Sequence, residues 1–455
     1  AVKEVLVAKP MKKQIVESYG AGFPAYYLED WVFQENYATE HLQGQFGVAS
    51  LKGFGITDLH AGIIAAGVIL YYLNETEHVQ LDHITHIHRL DRELQMWMDP
   101  FTIRNLELIY PNAPQATTLL QVMDHTKTPM GGRMLKRWLV APLTDLKAIE
   151  KRLSVVTDFY QHSNRKQRMQ ELLQSVGDLE RLMAKVATGR IGPRAINQLK
   201  NTLLLIPKVT EITSQSDQEA LRSLGEGLDS CSACCQWITD RLSEDAPTQL
   251  GKGDTIASGY SAELDDYRSI ARDGKKILDE MLERETEKTG ISSLKISFNN
   301  VFGYYIEVRN THKDKVPETW IRKQTLVNAE RYITEELKAY ETKIIGAEDQ
   351  IAQLEQRLFQ ELVKGLIPYI ENIQNNARIL AELDCLCGFA SLAKARNYNC
   401  PTLNEGDSLT IVQGRHPVIE YQMPPEESYI PNDLELNKNN QQIIMITGPN
   451  MSGKS

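Results

Sequence analysis

The pattern of apolar and polar residues divides the chain into segments of different period. Within residues 1–103, short apolar runs typical of strands, Val2 to Ala8 and Val79 to Ile87, alternate with helical stretches such as Leu59 to Leu73. Alternation of this kind predicts a small α/β region at the start of the chain.

From residue 104 to about 250 the apolar residues recur at the helical period of 3.6. Prolines at positions 142, 193 and 207 separate successive helices, because proline cannot continue a helix from within it. This part of the chain is therefore predicted to be an all-α domain whose aliphatic stripes form its core.

Two long polar helices are predicted at 259–289 and about 329–364, each with a narrow apolar seam. Between them the period changes to two. Leu294 to Phe298 and Tyr304 to Val308 alternate like strands, with turn residues in between. The sequence thus predicts an antiparallel helical arm with a β-module at its tip.

Composition excludes several classes of protein. The chain has 455 residues, of which 42% are hydrophobic and 24% charged, as in ordinary globular proteins. Its longest apolar run, Ala61 to Leu73, has 13 residues, whereas a membrane-spanning helix needs about 20. Six cysteines without a regular framework or a signal peptide indicate a cytoplasmic protein.

The predicted tip differs in charge from the whole chain, whose net charge is −10. Residues 295–331 hold seven basic and four acidic side chains, which gives +3. Such a local excess suits contact with a phosphate backbone, and a lysine-rich solvated hairpin is the alternative. The candidate DNA-binding residues are Lys295, Arg309, Arg322 and Lys323.

Two further groups have the residue types of metal sites. Cys231 and Cys234 have CxxC spacing, but no second pair or suitably spaced histidine accompanies them, so a helical turn is the favoured interpretation. His83, His86 and His88 form a cluster in which the last two share a strand face. Here too a solvated face is favoured over a metal site.

The last residues carry a phosphate-binding motif. A predicted apolar strand, Gln442 to Thr447, leads into a segment that fits G-x-x-x-x-G-K-[ST]. In this motif backbone N–H groups wrap a phosphate, the lysine reaches the β- and γ-phosphates, and the final hydroxyl ligates Mg²⁺. The candidate ATP-binding residues are Gly448, Pro449, Asn450, Met451, Ser452, Gly453, Lys454 and Ser455, with Ser455 as the Mg²⁺ ligand.

The same loop resembles that of the MutS family of DNA mismatch-repair ATPases, which reads GPNMxGKS. Further segments that resemble this family occur in the family's order along the chain: Gln45–Gly47, Gly53–Gly55, Thr128–Trp138, Gly177–Arg181, Ala257–Tyr260, Phe302–Tyr305, Asn328–Tyr332, Ala381–Asp384 and Gly414–Pro417. Matches of this number and order identify the chain as a member of the family.

The resemblance implies a multidomain, mainly α fold. Its parts would be a partial α/β connector domain at 1–103, a helical core with the first lever helix at 104–269, a β-rich DNA-contacting clamp at 270–332, the returning lever helix and core at 333–396, and the start of a P-loop ATPase domain at 397–455. It also implies that Tyr429 stacks on adenine, whereas His416 is expected to be structural.

Two departures from the family pattern limit these expectations. The N-terminal domain with a Phe-x-Glu wedge, which reads the mispaired base, is not recognised here. The clamp segment Thr325-Leu-Val327-Asn328 lacks the basic residue that often precedes the asparagine, so one phosphate contact is expected to be missing.

The resemblance implies a fragment of a bacterial-type mismatch-repair protein, since the chain opens without Met and stops at Ser455 inside its motif. The parent would be a cytoplasmic, nucleoid-associated homodimer that binds mismatched double-stranded DNA, uses ATP and Mg²⁺, and recruits a MutL-like partner. The fragment alone is expected to lack ATPase activity. The alternatives are a P-loop ATPase of the chromosome-maintenance type and a non-catalytic helical scaffold.

Overall fold

The computed structural model describes residues 3–77, 81, 84, 85, 87, 95–299, 303–424 and 426–447, without the side chains of 274, 275 and 343–345. The predicted histidine cluster and the phosphate-binding loop 448–455 lie outside the described residues, as does most of the predicted strand Val79 to Ile87. The chain forms two compact units. One comprises residues 1–188, 202–231 and 369–455, and the other comprises 189–201 and 232–368.

The described residues form seventeen α-helices and eight β-strands, numbered in chain order. The helices are α1 Lys12–Tyr19, α2 Glu35–Phe46, α3 His60–Glu77, α4 Pro100–Asn105, α5 Leu119–Met123, α6 Pro129–Val140, α7 Leu146–Gln161, α8 Ser163–Gln174, α9 Leu179–Ala187, α10 Pro193–Leu203, α11 Ile206–Ser214, α12 Glu219–Glu226, α13 Ser232–Arg241, α14 Ala262–Thr289, α15 Glu335–Lys364, α16 Ile370–Arg396 and α17 Pro417–Gln422. The strands are β1 Val5–Ala8, β2 Ala25–Leu28, β3 Lys295–Asn299, β4 Gly303–Arg309, β5 Ile321–Thr325, β6 Ala329–Ile333, β7 Leu409–Gly414 and β8 Asn432–Leu436.

The first unit begins with the predicted α/β region. Strands β1 and β2 pair in parallel, and α2 packs against α3. A Cβ atom at Gly67 of α3 would lie 2.5 Å from the Cβ of Ala38 on α2, so a residue without a side chain is needed where the two helices meet. This close approach buries Leu42 and Ile63 in one apolar cluster.

Helix α16 lies at the centre of the helical part of the first unit. It contacts α6, α7, α8 and α9, and most of its length is buried. Its Asp384 carboxylate accepts hydrogen bonds from the backbone N–H groups of Lys127 and Thr128, at 2.8 Å each. A Cβ atom at Gly131 would lie 2.3 Å from that carboxylate, which accounts for a glycine in the first turn of α6.

The second unit contains the predicted arm and its β-module. Helices α14 and α15 are antiparallel neighbours of 28 and 30 residues, each roughly 42–45 Å long at 1.5 Å per residue. The chain between them forms a four-stranded sheet in the order β3-β4-β6-β5, with every neighbouring pair antiparallel. The predicted pair of strands between two long helices is therefore confirmed.

The predicted helix from residue 329 is wrong at its start. Residues Ala329–Ile333 form β6, because their alternating side chains pair with β4 on one side and β5 on the other. The helix begins only after Thr334, whose side-chain oxygen accepts a hydrogen bond from the N–H of Leu337. Similarly, α14 begins at Ala262 because Gly259 has a φ of +84° and Ser261 caps the helix.

The predicted strand from Gln442 to Thr447 is not formed. In the described part of the chain no strand lies beside it, so its backbone lacks the neighbour that a β-ladder requires. Ile443 and Met445 are 83% and 84% exposed as a result. The strands that do form nearby are β7 and β8, which pair antiparallel.

Candidate nucleic-acid interface

The two faces of the four-stranded sheet carry different side chains. Ile306 and Val308 of β4 and Tyr332 of β6 pack against Leu278 of α14 and Leu337 of α15 in one apolar cluster. Because strand side chains alternate, the residues between them lie on the opposite face. There the register forms one polar row across all four strands: Lys295, Glu307, Arg331 and Gln324.

The four predicted DNA-binding side chains are all exposed, but they lie at different places on the sheet. Lys295 opens β3 at one edge, and Arg309 ends β4 in the interior of the sheet. Arg322 and Lys323 lie on β5, at the opposite edge. Three strand spacings separate the two edges, about 14 Å. The four cations are therefore spread across the sheet and do not form one compact cluster.

Arg322 forms an ion pair within the sheet. Its Nη1 lies 3.2 Å from Oε1 of Glu330, and the hydroxyl of Tyr332 donates a short hydrogen bond to the same carboxylate. That hydroxyl and the positive charge of Arg322 hold the pKa of Glu330 below its ordinary value. Burial and the bond to Glu330 raise the pKa of Tyr332 to about 12. Part of the charge of Arg322 is thus balanced within the sheet.

Arg331 is one of the seven basic residues in the charge count of the tip, and its positive charge is balanced more fully than that of Arg322. Its Nη1 donates to Oε1 of Gln324 at 2.8 Å, and its Nε lies 3.4 Å from Oε2 of Glu307. The guanidinium also lies 4.3 Å from the ring centre of Tyr305. Arg331 therefore acts as a cross-strand tie, which the charge count alone could not show.

One end of the sheet presents backbone turns and further cations. The 3₁₀ helix Asn310–Lys315 follows β4, with His312, Lys313 and Lys315 in its last turn. Asn310 donates its side-chain amide to the carbonyl of Val327 at 2.9 Å, which ties this segment to the β5–β6 turn. Val327 is 92% exposed. This hydrogen bond of Asn310 was not predicted from the sequence, and it brings the 3₁₀ helix and the β5–β6 turn to the same end of the sheet.

Of the predicted nucleotide-binding residues, the structure describes only Tyr429. Tyr429 is half-buried in the segment that precedes β8, and the loop 448–455 lies outside the described residues. His416 accepts a hydrogen bond at its Nδ1 from the N–H of Ile419, at 3.4 Å, and so caps α17. This contact fits the structural role expected for His416.

The CxxC cysteines Cys231 and Cys234 are buried and form no disulfide. Among the residues that the structure describes, no group of three or more His, Cys, Asp or Glu side chains is arranged to hold a metal ion. Across the same residues, no helix combines the length and apolar character needed to cross a bilayer.

Comparison with known proteins agrees with the resemblance along the whole chain. The family model of MutS domain III matches residues 101–390, and that of MutS domain II matches residues 1–85. The DNA mismatch repair protein MutS of Christiangramia forsetii is 55% identical over 452 residues, which cover 99% of this chain and 52% of the relative.

Other relatives are similar over the same length. The proteins of the same name from Flavobacterium psychrophilum and Parabacteroides distasonis are 54% and 49% identical, over 99% and 100% of this chain and 52% of each relative. The chain spans about half the length of the curated relatives it matches. With a family model that matches more than half of its residues, the chain belongs to the MutS family.

Proposed function

We propose that this chain acts in DNA mismatch repair as part of a protein that binds mismatched double-stranded DNA. The observation that carries the proposal is the 55% identity to a DNA mismatch repair protein MutS over 99% of the chain. An identity of this size over nearly the whole of this chain favours a shared function over a shared fold alone.

Within that function, the helical arm α14–α15 is the lever and the four-stranded sheet is the clamp that touches the duplex. The exposed cations Lys295, Arg309, Arg322 and Lys323 contact phosphates, and Lys313 and Lys315 add charge at the end of the sheet. Contacts to phosphates fix position on the duplex but do not read the sequence. The sheet therefore holds DNA of any sequence.

Nucleotide binding is assigned to residues near the end of the given sequence. The loop 448–455 binds the phosphates of ATP, Ser455 ligates Mg²⁺, and Tyr429 stacks on the adenine. The helix that follows such a loop and a carboxylate that positions Mg²⁺ are also needed for hydrolysis. The complete protein acts as a cytoplasmic, nucleoid-associated homodimer that recruits a MutL-like partner.

The first test is fluorescence-anisotropy binding of the chain to matched and G·T-mismatched duplexes over a salt series. With about four phosphates contacted, log affinity should fall with log salt at a slope of about −4. The two duplexes should bind equally, because the phosphate contacts carry no sequence information. Equal affinity at 50 and 300 mM salt would exclude the proposed phosphate contacts.

A further inference from the structure

The arm contains a buried ion pair in its seam. Arg268 of α14 donates from Nη2 to Oε1 of Glu355 on α15 at 2.6 Å, and the two side chains are 6% and 4% exposed. The apolar seam of α14 includes the buried residues Leu264 and Leu278. Of the described side chains between these two, Arg268 is the one that is buried. A charged pair thus takes a position that the helical repeat otherwise gives to apolar residues.

Backbone groups of the loop before α14 hold the same pair. The N–H of Thr255 donates to Oε1 of Glu355, and Arg268 Nη2 donates to the carbonyl of Ile256, both at 2.9 Å. The pair therefore joins the loop and the two helices at a single point near the base of the arm.

The pair is not optimised for stability. Among the described residues, Nε and Nη1 of Arg268 have no hydrogen-bond partner. The nearest carboxylate oxygens, of Asp254 and Asp265, lie 3.4 and 3.6 Å away. A buried ion pair with unmade hydrogen bonds contributes little net stability, because the loss of hydration offsets the attraction. Its presence in the seam needs another physical reason.

Two exposed ion pairs also connect the helices, but they constrain them weakly. Glu263 lies 3.9 Å from Arg357, and Arg284 lies 2.5 Å from Glu336, with all four side chains about half exposed. The two pairs are 21 residues apart on both helices, which keeps one register over about 32 Å. Solvated pairs such as these contribute on the order of 0–1 kcal/mol, so they do not exclude a shifted alignment.

We propose that the buried pair of Arg268 and Glu355 fixes the axial register of α14 against α15 and thereby the position of the β-sheet at the far end of the arm. Apolar seams with heptad spacing tolerate alternative alignments, whereas a shift of one turn, about 5.4 Å, separates this pair. Arg268 would keep Asp265 of its own helix nearby, but the carboxylate of Glu355 would stay buried without its cation. The cost of that separation selects one alignment. The inference concerns the arm itself and does not depend on DNA binding.

The test measures register directly. Spin labels at exposed positions, K276C and E361C, are introduced into the full chain with C400S, which removes the exposed cysteine among the described residues. Position 361 lies about 16 residues along α15 from the residue that is side by side with position 276 of α14. At about 1.5 Å per residue, the labels are therefore roughly 24 Å apart along the arm. Double electron–electron resonance should give one distance for the otherwise unaltered chain.

The deciding variant is R268M/E355L, which replaces the pair by apolar side chains of similar volume. We expect a second distance shifted by about 5 Å and a Tm equal to or above that of the parent. The control E263Q/R357Q removes an exposed pair between the same helices and should keep the single distance. A single unchanged distance in R268M/E355L would overturn the proposal.

Loss of folding in R268M/E355L would remain interpretable. In that case E355Q is measured, because glutamine keeps an oxygen for the N–H of Thr255 while it removes the charge. A second distance in E355Q supports the proposal. One distance in E355Q would show that the pair serves stability only, which also overturns it.

Discussion

The arm and the sheet at its end both have an apolar core, but their net charges are opposite in sign. Helices α14 and α15 contain sixteen acidic and ten basic residues, whereas the segment 295–331 contains four acidic and seven basic residues. Both regions bury one apolar surface and expose charge on the other. The two regions therefore differ in the sign of their net charge. A polyanion would be attracted to the end of the arm and not along its length.

The two regions also differ in how they use buried polar groups. In the arm, Arg268 and Glu355 form a pair in an apolar seam, and two guanidinium nitrogens of Arg268 have no hydrogen-bond partner among the described residues. In the sheet, Glu330 of the interior strand β6 accepts hydrogen bonds from Tyr332 and from Arg322 of the edge strand β5. A buried pair between long helices can define their alignment. A carboxylate that pairs with a cation of the edge strand instead reduces the positive charge exposed there.

The largest expected effect comes from the apolar cluster that joins the two regions. Leu337 of α15 is fully buried against the sheet, so L337A should lower the free energy of unfolding by about 2–5 kcal/mol. Urea denaturation followed by circular dichroism measures this. The matched control is A339G at an exposed position of the same helix, which should cost about 1 kcal/mol. A similar cost for both would show that the sheet does not depend on the arm.

The next effect tests the sign difference. The triple variant K295A/R309A/K323A removes three cations of the sheet and should make the salt slope of DNA binding less negative by about 3. The matched control K276A/K338A/K364A removes three exposed lysines of the arm. We expect no loss of affinity in the control, because the arm is acidic. Equal losses in the two variants would mean that DNA follows the whole arm.

Much of this contrast could be predicted from the sequence, because period and charge are local properties. The change from helical to strand period located β3 and β4, and the charge count located the basic segment. Strand β6 was missed since Ala329–Ile333 resembles the start of the following helix until its pairing with β4 and β5 is known. The roles of Arg331 and Arg322 depended on partners that only folding brings together.

A smaller effect separates two neighbouring cations. Lys323 forms no ion pair with the described residues, whereas Arg322 is paired with Glu330. K323A should therefore make the salt slope less negative by about 1, and R322A by less. E330Q should strengthen binding, because it frees Arg322 and removes a negative charge. Anisotropy titrations at several salt concentrations decide the order, and a larger effect of R322A would show that its pairing is broken on DNA.

The smallest effect concerns the pH dependence of stability. The pKa of Tyr332 is raised from 10.0 to about 12, so the folded chain keeps this proton after the unfolded chain has lost it. Its contribution is complete below pH 10 and is lost as the pH rises towards 12. The lowered pKa of Glu330 contributes stability above pH 4.5, which is lost as the pH falls through the lowered pKa.

The variant Y332F removes the titrating hydroxyl and the largest cause of the shift at Glu330. Relative to the parent, its free energy of unfolding should therefore vary less between pH 10 and 12 and less below pH 4.5. Urea denaturation at pH 4, 7 and 11 measures the difference between the two proteins, and I321A at the exposed edge of the same sheet serves as the control. A constant difference at all three pH values would show that the hydroxyl and Glu330 are not coupled. In that case the edge of the sheet would not tune the charge of Arg322, and this contrast between the sheet and the arm would be lost.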